Sequence, residues 1–319
     1  MMNNRFLVLA VAATLAGVAL PSAWAQAPAP AKSAAPAAAQ PNFATPDDAV
    51  KALVAALRAG DRKAVVALMG AGSDYWIFTG DDVADADEWT RFLAAYDQKN
   101  AVVKAGDAKA TLVIGADDWV LPSPIVKKGG RWVFDGAAGS EETANRRVGR
   151  NELNTIQTLL AIVDAQQEYA TTDADRNGVA NYARRFISTP GTRDGLYWPV
   201  PAGAPQSPLG PLVGEATREG YGAQKSEPRA YHGYHFRLLT SQGPDAKGGA
   251  YDYIVKDTLL GGFAVVAWPS KHGVSGVMTF IVNQDGVVFE KDLGAGTAAA
   301  ASKISSFNPD KTWKRSEAQ

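Results

Sequence analysis

The pattern of hydrophobic and polar residues becomes regular near residue 43, where it first predicts helices. Between residues 46 and 98, apolar residues recur every three or four positions, as on one face of an α-helix. Capping residues and glycines divide this pattern into three predicted helices, at 46–60, 61–70 and 85–98. Thr45 before the first helix and Pro46 at its first position are typical of a helix start.

The pattern then changes to one that is typical of β-strands. It predicts four strands, at 101–104, 108–114, 119–126 and 131–134. Lys128, Gly129 and Gly130 join the last two strands as a hairpin turn. Helices followed by an antiparallel meander predict an α+β domain over residues 43–138. Its layout is similar to that of the cone-shaped NTF2-like and cystatin-like folds.

A second α+β domain is predicted over residues 150–319. The polar segment 139–149 indicates the junction, and a long helix follows at 151–171 with an apolar stripe that begins at Leu153. The Gly- and Pro-rich stretch 172–229 is predicted to be irregular. Five strands close the pattern, at 234–240, 251–255, 262–268, 277–282 and 287–291.

The first residues have the composition of a cleavable secretory leader. Arg5 is followed by an apolar run, and Ala23 and Ala25 are small residues before an expected cleavage site. The run is shorter than the ~20 residues that a membrane span needs. An Ala- and Pro-rich linker is predicted over residues 26–42. The leader over residues 1–25 predicts a periplasmic or secreted protein with no membrane span after cleavage.

Composition and charge argue against several classes of function. The chain has no cysteine, which excludes disulfides, thiol catalysis and cysteine-ligated zinc. Its formal net charge is −1, and the sequence has no long basic stretch. Electrostatic binding to nucleic acid therefore has no support.

The best candidate metal site is a short loop after the long helix. Its candidate calcium ligands are Asp173, Asp175, Asn177, Val179 (through its carbonyl) and Asn181. Gly178 occupies the sixth position, where calcium loops need a sharp turn. The twelfth position, normally glutamate, is Arg184, so Asp194 or Glu168 would have to complete the shell. Calcium here would be structural, and the alternative is a polar turn that caps the helix.

Two further groupings resemble catalytic or metal motifs only in part. His232 and His235 are three residues apart on a predicted strand, which directs the two rings to opposite faces. Ser275 lies in a Gly-Val-Ser-Gly segment that lacks the final glycine of a nucleophile motif. We assign no catalytic residue from these patterns.

Aromatic residues mark two candidate ligand contacts. Asp117 and Asp118 precede Trp119 in the first predicted sheet, where an acid in a pocket would act as a base and an exposed loop is the alternative. Tyr197 and Trp198 belong to an aromatic and proline-rich cluster in the long irregular stretch. These two side chains would stack on a ligand such as a sugar or peptide, or would fix the loop to the core.

The second domain resembles the heads of type IV pilins and pseudopilins. The resemblance lies in the helix at 151–169 and in the closing strands at 274–288. In a pilin, the helix continues from an apolar membrane segment, but here Arg146, Arg147 and Arg150 precede it. The resemblance therefore implies a pilin-like fold without assembly as an ordinary pilus subunit.

Four longer segments resemble a family of bacterial exported proteins of unknown function, DUF2950. They are residues 193–199, 207–212, 233–239 and 261–269. This resemblance extends over nearly all of the chain after the leader. It implies export and a shared fold, and it implies no activity.

Two functions of different classes stay open on the sequence. The first is an exported, non-enzymatic protein that binds an unknown partner or ligand at the cell envelope. The alternative is a small-molecule enzyme or carrier that uses a pocket in the N-terminal domain. A deep pocket with converging polar groups would favour the alternative.

Overall fold

The first helices begin at the residues whose side chains cap them. In the computed structural model, Thr45 Oγ1 accepts a hydrogen bond from the Asp48 backbone N–H at 3.1 Å, and Asp61 caps the next helix in the same way. The helices are α1 (Pro46–Arg58), α2 (Arg62–Met69), α3 (Asp74–Ile77) and α4 (Asp82–Gln98). The helix predicted at 85–98 starts earlier because Asp81 serves as its cap.

The structure describes residues 39–201, 203–221 and 230–318. The predicted leader at 1–25 and most of the predicted linker at 26–42 lie outside these residues. The described residues belong to one compact unit. None of the helices in this part of the chain is both long and apolar enough to cross a membrane.

Gln40 is already fixed to the fold, although the sequence predicts order only from about residue 43. Its Nε2 donates hydrogen bonds to the carbonyl oxygens of Leu68 at 2.7 Å and Phe134 at 2.8 Å. These two carbonyls belong to a helix and a strand, so Gln40 bridges two layers. A hydropathy pattern does not predict order at a single polar residue, because it does not record the hydrogen bonds that hold the residue in place.

An antiparallel sheet packs against the first helices. Its strands are β1 (Asn100–Lys104), β2 (Lys109–Ile114), β3 (Trp119–Val120), β4 (Ile125–Lys128) and β5 (Arg131–Phe134). They follow the order β1-β2-β4-β5, with β3 also paired to β2. The strand predicted at 119–126 is interrupted, because Pro122 and Pro124 cannot donate to a ladder. We call α1–α4 and β1–β5 the N-terminal module.

A single helix, α5 (Gly136–Thr171), connects this sheet to the rest of the chain. It runs through the segment 139–149, so the helix begins fifteen residues before the start predicted at 151. Asp135 caps the helix by accepting a hydrogen bond from the Ala138 N–H at 3.3 Å. Arg147 is buried within it. Most polar residues of this segment are exposed, and Arg147 is the one charged side chain of the segment that the helix buries.

The second half of α5 packs on a C-terminal sheet. The remaining elements are β6 (Arg185–Ile187), β7 (Gly195–Tyr197), α6 (Gly210–Arg218), β8 (Tyr234–Leu239), β9 (Ser241–Gln242), β10 (Tyr251–Asp252), β11 (Ile254–Val255), β12 (Thr258–Leu259), β13 (Ala264–Pro269), β14 (Met278–Asn283), β15 (Phe289–Asp292), α7 (Thr297–Ser302) and β16 (Lys314–Arg315). The main sheet has the antiparallel order β16-β15-β14-β13-β8. We call these elements the C-terminal module.

The stretch 172–229 is less irregular than the sequence predicts. It contains the parallel pair β6–β7 and the helix α6. Leu196 in β7 is fully buried, and Leu209 just before α6 is nearly so. These single apolar anchors fix the loop to the core, and they are too widely spaced to form a periodic pattern. With both helices and antiparallel sheets, the chain has the predicted α+β class.

Each module has its own apolar core. The buried side of α5 includes Ile156, Leu159 and Ile162, which face the C-terminal core. Leu153 was predicted to begin this stripe, but its side chain is 54 % exposed. The buried face of α5 also includes the polar residues Thr155, Thr158 and Gln166. A stripe drawn through the apolar residues alone is therefore rotated from this face and wrongly includes Leu153.

Buried hydrogen bonds join the two modules. Asp81 is 4 % exposed, and its Oδ2 accepts from the Tyr221 hydroxyl and from the Gly233 backbone N–H, both at 2.9 Å. Ser270 Oγ donates to the Thr79 carbonyl at 2.9 Å. Burial and the Asp81 carboxylate raise the pKa of Tyr221, so this hydroxyl stays a donor. The two modules are therefore joined by buried hydrogen bonds between defined side chains and backbone groups.

Candidate functional site

A cavity of about 450 Å³ lies between the N-terminal module and the first half of α5. Its walls are mainly aromatic and aliphatic side chains, namely Trp76, Trp89, Phe92, Trp119, Leu53, Leu57, Val65, Met69, Ile77, Ile114 and Leu121. This volume falls within the ~300–1,000 Å³ of typical small-molecule sites. Such walls fit an apolar ligand.

The cavity exists because α4 does not pack fully on the core. Trp89 and Phe92 lie on one apolar stripe of α4, but both side chains stay partly exposed. The one buried residue of this fully described helix is the acid Asp85. Burial raises the pKa of Asp85, although hydrogen bonds from Thr79 act against this. Space between the aromatic stripe of α4 and the neighbouring α1 and α2 forms the cavity.

Charged residues of α4 and α5 line the same cavity. They are Glu88 and Arg91 on α4 and Arg146, Arg147 and Arg150 on α5. Residues four apart lie on one face of a helix, which places Arg146 and Arg150 together. An apolar cavity thus has a predominantly cationic edge.

Arg147 is the fixed member of this group. Its side chain is 5 % exposed, and its Nη2 donates to Glu88 Oε2 at 2.7 Å while its Nε donates to Glu88 Oε1 at 3.3 Å. Its Nη1 donates to the Trp76 carbonyl at 2.7 Å. A two-point contact of this kind holds the carboxylate in one orientation.

The acids that the sequence suggested as a base do not line this cavity. Trp119 does line it, but Asp117 and Asp118 are exposed, and Asp118 pairs with Lys99 at 2.7 Å. Glu88 is the acid at the cavity. Its 59-residue separation in sequence from Arg147 gave no local signal.

The candidate calcium loop folds into a turn with internal hydrogen bonds. Asp173 accepts from the backbone N–H groups of Asn177 at 3.0 Å and Gly178 at 3.1 Å. Asn177 Nδ2 donates to Asp175 Oδ2 at 2.8 Å and to Asn181 Oδ1 at 2.9 Å. Val179 donates its backbone N–H to Asn177 Oδ1 at 2.7 Å. The loop residues therefore contact one another.

Asp175 Oδ1 is the exception in this loop. It is a buried oxygen with no hydrogen-bond partner in the described part of the chain. Burial and the charge of Asp175 raise the pKa of the neighbouring Tyr169, which indicates a locally negative environment. Asp194 borders the same cleft as Asp175, whereas Glu168 is exposed. Arg184, at the twelfth position, donates to the Asp257 carbonyl at 2.9 Å.

Asp194 is engaged in a turn of its own. It accepts hydrogen bonds from the Thr189 N–H at 2.7 Å and from the Thr192 hydroxyl at 2.8 Å. Burial acts to raise the pKa of Asp194, but these hydrogen bonds and Arg185 outweigh it and lower the pKa. The described residues contain no cluster of three or more His, Cys, Asp or Glu side chains able to hold a metal.

Tyr197 and Trp198 lie against the C-terminal core. Both are half-buried, and the Arg193 guanidinium lies 5.1 Å from the centre of the Trp198 ring. Tyr197 also pairs with Ile187 through β7 and β6. Both side chains therefore pack against the core and remain partly accessible.

The histidine and serine motifs serve structural contacts. His232 Nε2 lies 3.3 Å from Glu219 Oε2, whereas the His235 ring lies 5.6 Å from that of Trp268. Ser275 is fully buried, and its Oγ accepts from the Lys271 N–H at 2.9 Å. These contacts place each side chain without forming a catalytic grouping.

Comparison with known proteins gives one match. The family model described as "Protein of unknown function (DUF2950)" matches residues 40–316. The match begins at Gln40, the residue that bridges α2 and β5. No curated protein and no solved structure matches the chain.

Proposed function

We propose that this chain, which belongs to the DUF2950 family of proteins of unknown function, binds a small apolar molecule in this cavity as a carrier or binding protein. The observation that carries this proposal is the cavity of about 450 Å³ with aromatic and aliphatic walls. Removing apolar surface of a ligand from water contributes roughly 25 cal/mol per Å². The side chains around this cavity offer donors and one carboxylate, a set that suits binding better than nucleophilic chemistry.

The proposal includes a place of action outside the cytoplasm. It rests on the sequence of residues 1–25, which has the order of segments found in secretory leaders. The absence of cysteine removes disulfides as a source of stability, and the two modules rely on apolar cores and buried polar contacts instead. A periplasmic or secreted binding protein is consistent with both features.

We further propose that the N-terminal module is an NTF2-like cone and that the C-terminal module is related to pilin heads. Helices that pack around an antiparallel sheet with a cavity support the first relation. A long helix on an antiparallel five-stranded sheet supports the second. In this arrangement the C-terminal module provides the assembly surface toward an envelope partner, and the N-terminal module binds the ligand.

A dye-binding experiment tests the carrier proposal. N-phenyl-1-naphthylamine is a neutral apolar dye that becomes fluorescent in apolar surroundings, and we expect saturable binding to the protein. Ala95 lines the cavity, whereas the adjacent Ala94 is exposed. Ala95→Phe should weaken dye binding at least about tenfold by occupying ligand space, and Ala94→Phe should not.

The melting temperature of each variant shows whether it is folded. If Ala95→Phe does not fold, Thr143→Phe places the same bulk at the part of the cavity wall that α5 forms. Unchanged dye affinity in a folded wall variant would overturn the proposal. Absence of saturable dye binding to the unaltered protein would do the same.

We also propose that the loop at 173–181 binds a structural calcium ion. The unpartnered, buried Asp175 Oδ1 supports this, because a cation would satisfy it. The oxygens of the five candidate ligands named from the sequence would hold the ion, and bound calcium would neutralise the local negative charge.

Calcium should therefore raise the thermal stability of the protein. At a calcium concentration 100 times Kd, the expected gain is about 2.7 kcal/mol, or roughly 5 °C in Tm. Asp175→Asn should remove this response, whereas Asp245→Asn, which changes an exposed acid elsewhere, should keep it. Melting curves that are identical in calcium and in chelator would contradict the proposal.

A further inference from the structure

We infer that the ligand of the N-terminal cavity carries an acidic head group, a carboxylate or a phosphate, on its apolar body, and that Arg150 binds this group. The inference rests on the proposed carrier function and specifies its ligand class. It arises from an imbalance of charge at one edge of an otherwise apolar cavity. The arginines concerned are those that separate α5 from an ordinary pilin helix.

Four arginines share this edge with a single lining carboxylate, Glu88. Arg146 also pairs with Glu142 at 2.6 Å, and Arg91 pairs with Asp87. Each of these pairs joins exposed side chains one helical turn apart. Such pairs are weak and exchange readily. Even with these partners counted, the edge holds one more positive charge than negative.

Glu88 cannot neutralise both of its neighbours. Arg147 occupies both of its carboxylate oxygens in the two-point contact. Arg150 lies 3.6 Å from Glu88 Oε1, which is too long for a good hydrogen bond. Within the part of the chain that the structure describes, the Arg150 guanidinium makes no hydrogen bond and has this one ion pair. Its five N–H donors are therefore available for another acceptor.

The position of Arg150 suits the recognition of a ligand's head group. Its side chain is 49 % exposed, so a head group can reach it while an apolar body lies among the tryptophans. A guanidinium binds carboxylate or phosphate oxygens through two parallel hydrogen bonds, and nearby apolar walls strengthen such bonds. Arg147, by contrast, is a positioning residue, because its donors hold Glu88 and the Trp76 carbonyl.

Four probes with the same ten-carbon chain test the inference by competition against the bound dye. They are decanoate, 1-decanol, decyltrimethylammonium and decyl phosphate, and the last distinguishes phosphate from carboxylate. We expect decanoate or decyl phosphate to compete about tenfold better than 1-decanol, and the cation to compete least. Arg150→Gln should reduce the advantage of the anion over 1-decanol from about tenfold to less than about twofold.

Arg58→Gln is the matched control, since Arg58 is an exposed arginine on α1 that pairs with Asp97 outside the cavity. Equal competition by 1-decanol, decanoate and decyl phosphate would overturn the inference and leave the carrier proposal standing. Equal loss in Arg58→Gln and Arg150→Gln would also overturn it, because the effect would then follow net charge. Absence of dye binding to the unaltered protein would instead count against the carrier function.

Discussion

Replacing Asp81 by alanine is expected to lower the free energy of unfolding by about 3–5 kcal/mol. The change removes the N-cap of α4, which costs about 1 kcal/mol. It also leaves the buried Gly233 N–H and the part-buried Tyr221 hydroxyl without their acceptor. A fully buried, unsatisfied donor costs about 1–3 kcal/mol, and the part-buried hydroxyl costs less. Chemical denaturation followed by circular dichroism measures this loss.

Asp61→Ala is the matched control, because Asp61 caps α2 and is exposed. Only the local capping energy, about 1 kcal/mol, should be lost there. If the two variants lose equal stability, Asp81 acts only as a cap and the polar contact between the modules contributes nothing. A larger loss for Asp81→Ala shows that each module stabilises the other.

Two glycines of α5 should respond to alanine with opposite signs. A Cβ at Gly139 would lie 2.3 Å from Ser123 Oγ and 2.5 Å from the Ser123 backbone N. Because the backbone cannot rotate away, Gly139→Ala should cost about 1–3 kcal/mol. A Cβ at Gly149 meets nothing within 4 Å, so Gly149→Ala should stabilise the helix by about 0.5–1 kcal/mol.

The pair tests whether α5 is continuous through the predicted junction at 139–149. In a flexible junction, both alanines would have small effects of the same sign. Measured free energies of unfolding that differ by about 2 kcal/mol or more, with Gly149→Ala the more stable, would support a continuous helix. Destabilisation by Gly149→Ala would show that the helix does not extend this far.

Local signals in the sequence predict the elements that local forces determine. The start of α1 is correct because the cap, the proline and the first-turn acids lie next to one another. The hairpin between β4 and β5 is correct because Gly129 and Gly130 both adopt a positive φ, which glycine tolerates. Such features depend on a few consecutive residues.

Local sequence signals do not predict the elements that depend on tertiary contacts. The first turns of α5 are polar, and they form a helix because Arg147 bonds to Glu88 and Trp76 and because Gly139 permits close approach to Ser123. The partners lie far apart in sequence. A hydropathy pattern records the polarity of such residues but not the contact that buries them.

In the candidate sites too, local features are predictable from the sequence, whereas features that depend on tertiary packing are not. The helical spacing of Trp89 and Phe92 places them on one face of α4, yet this spacing does not reveal that the face borders a cavity instead of filling a core. That outcome depends on how far α4 stands from α1 and α2. The loop at 173–181, in contrast, is recognisable from spacing alone, and its proposed ion awaits a measurement.

The central claim, that the N-terminal cavity binds an apolar ligand, is tested most directly by the indole N–H resonances of the labelled protein. Trp76, Trp89 and Trp119 line the cavity, and four described tryptophans that do not line it serve as internal controls: Trp132, Trp198, Trp268 and Trp313. Titration with decanoate should shift the three cavity resonances and leave the four controls in place. Shifts confined to the control resonances, or no shift at all, would contradict the account.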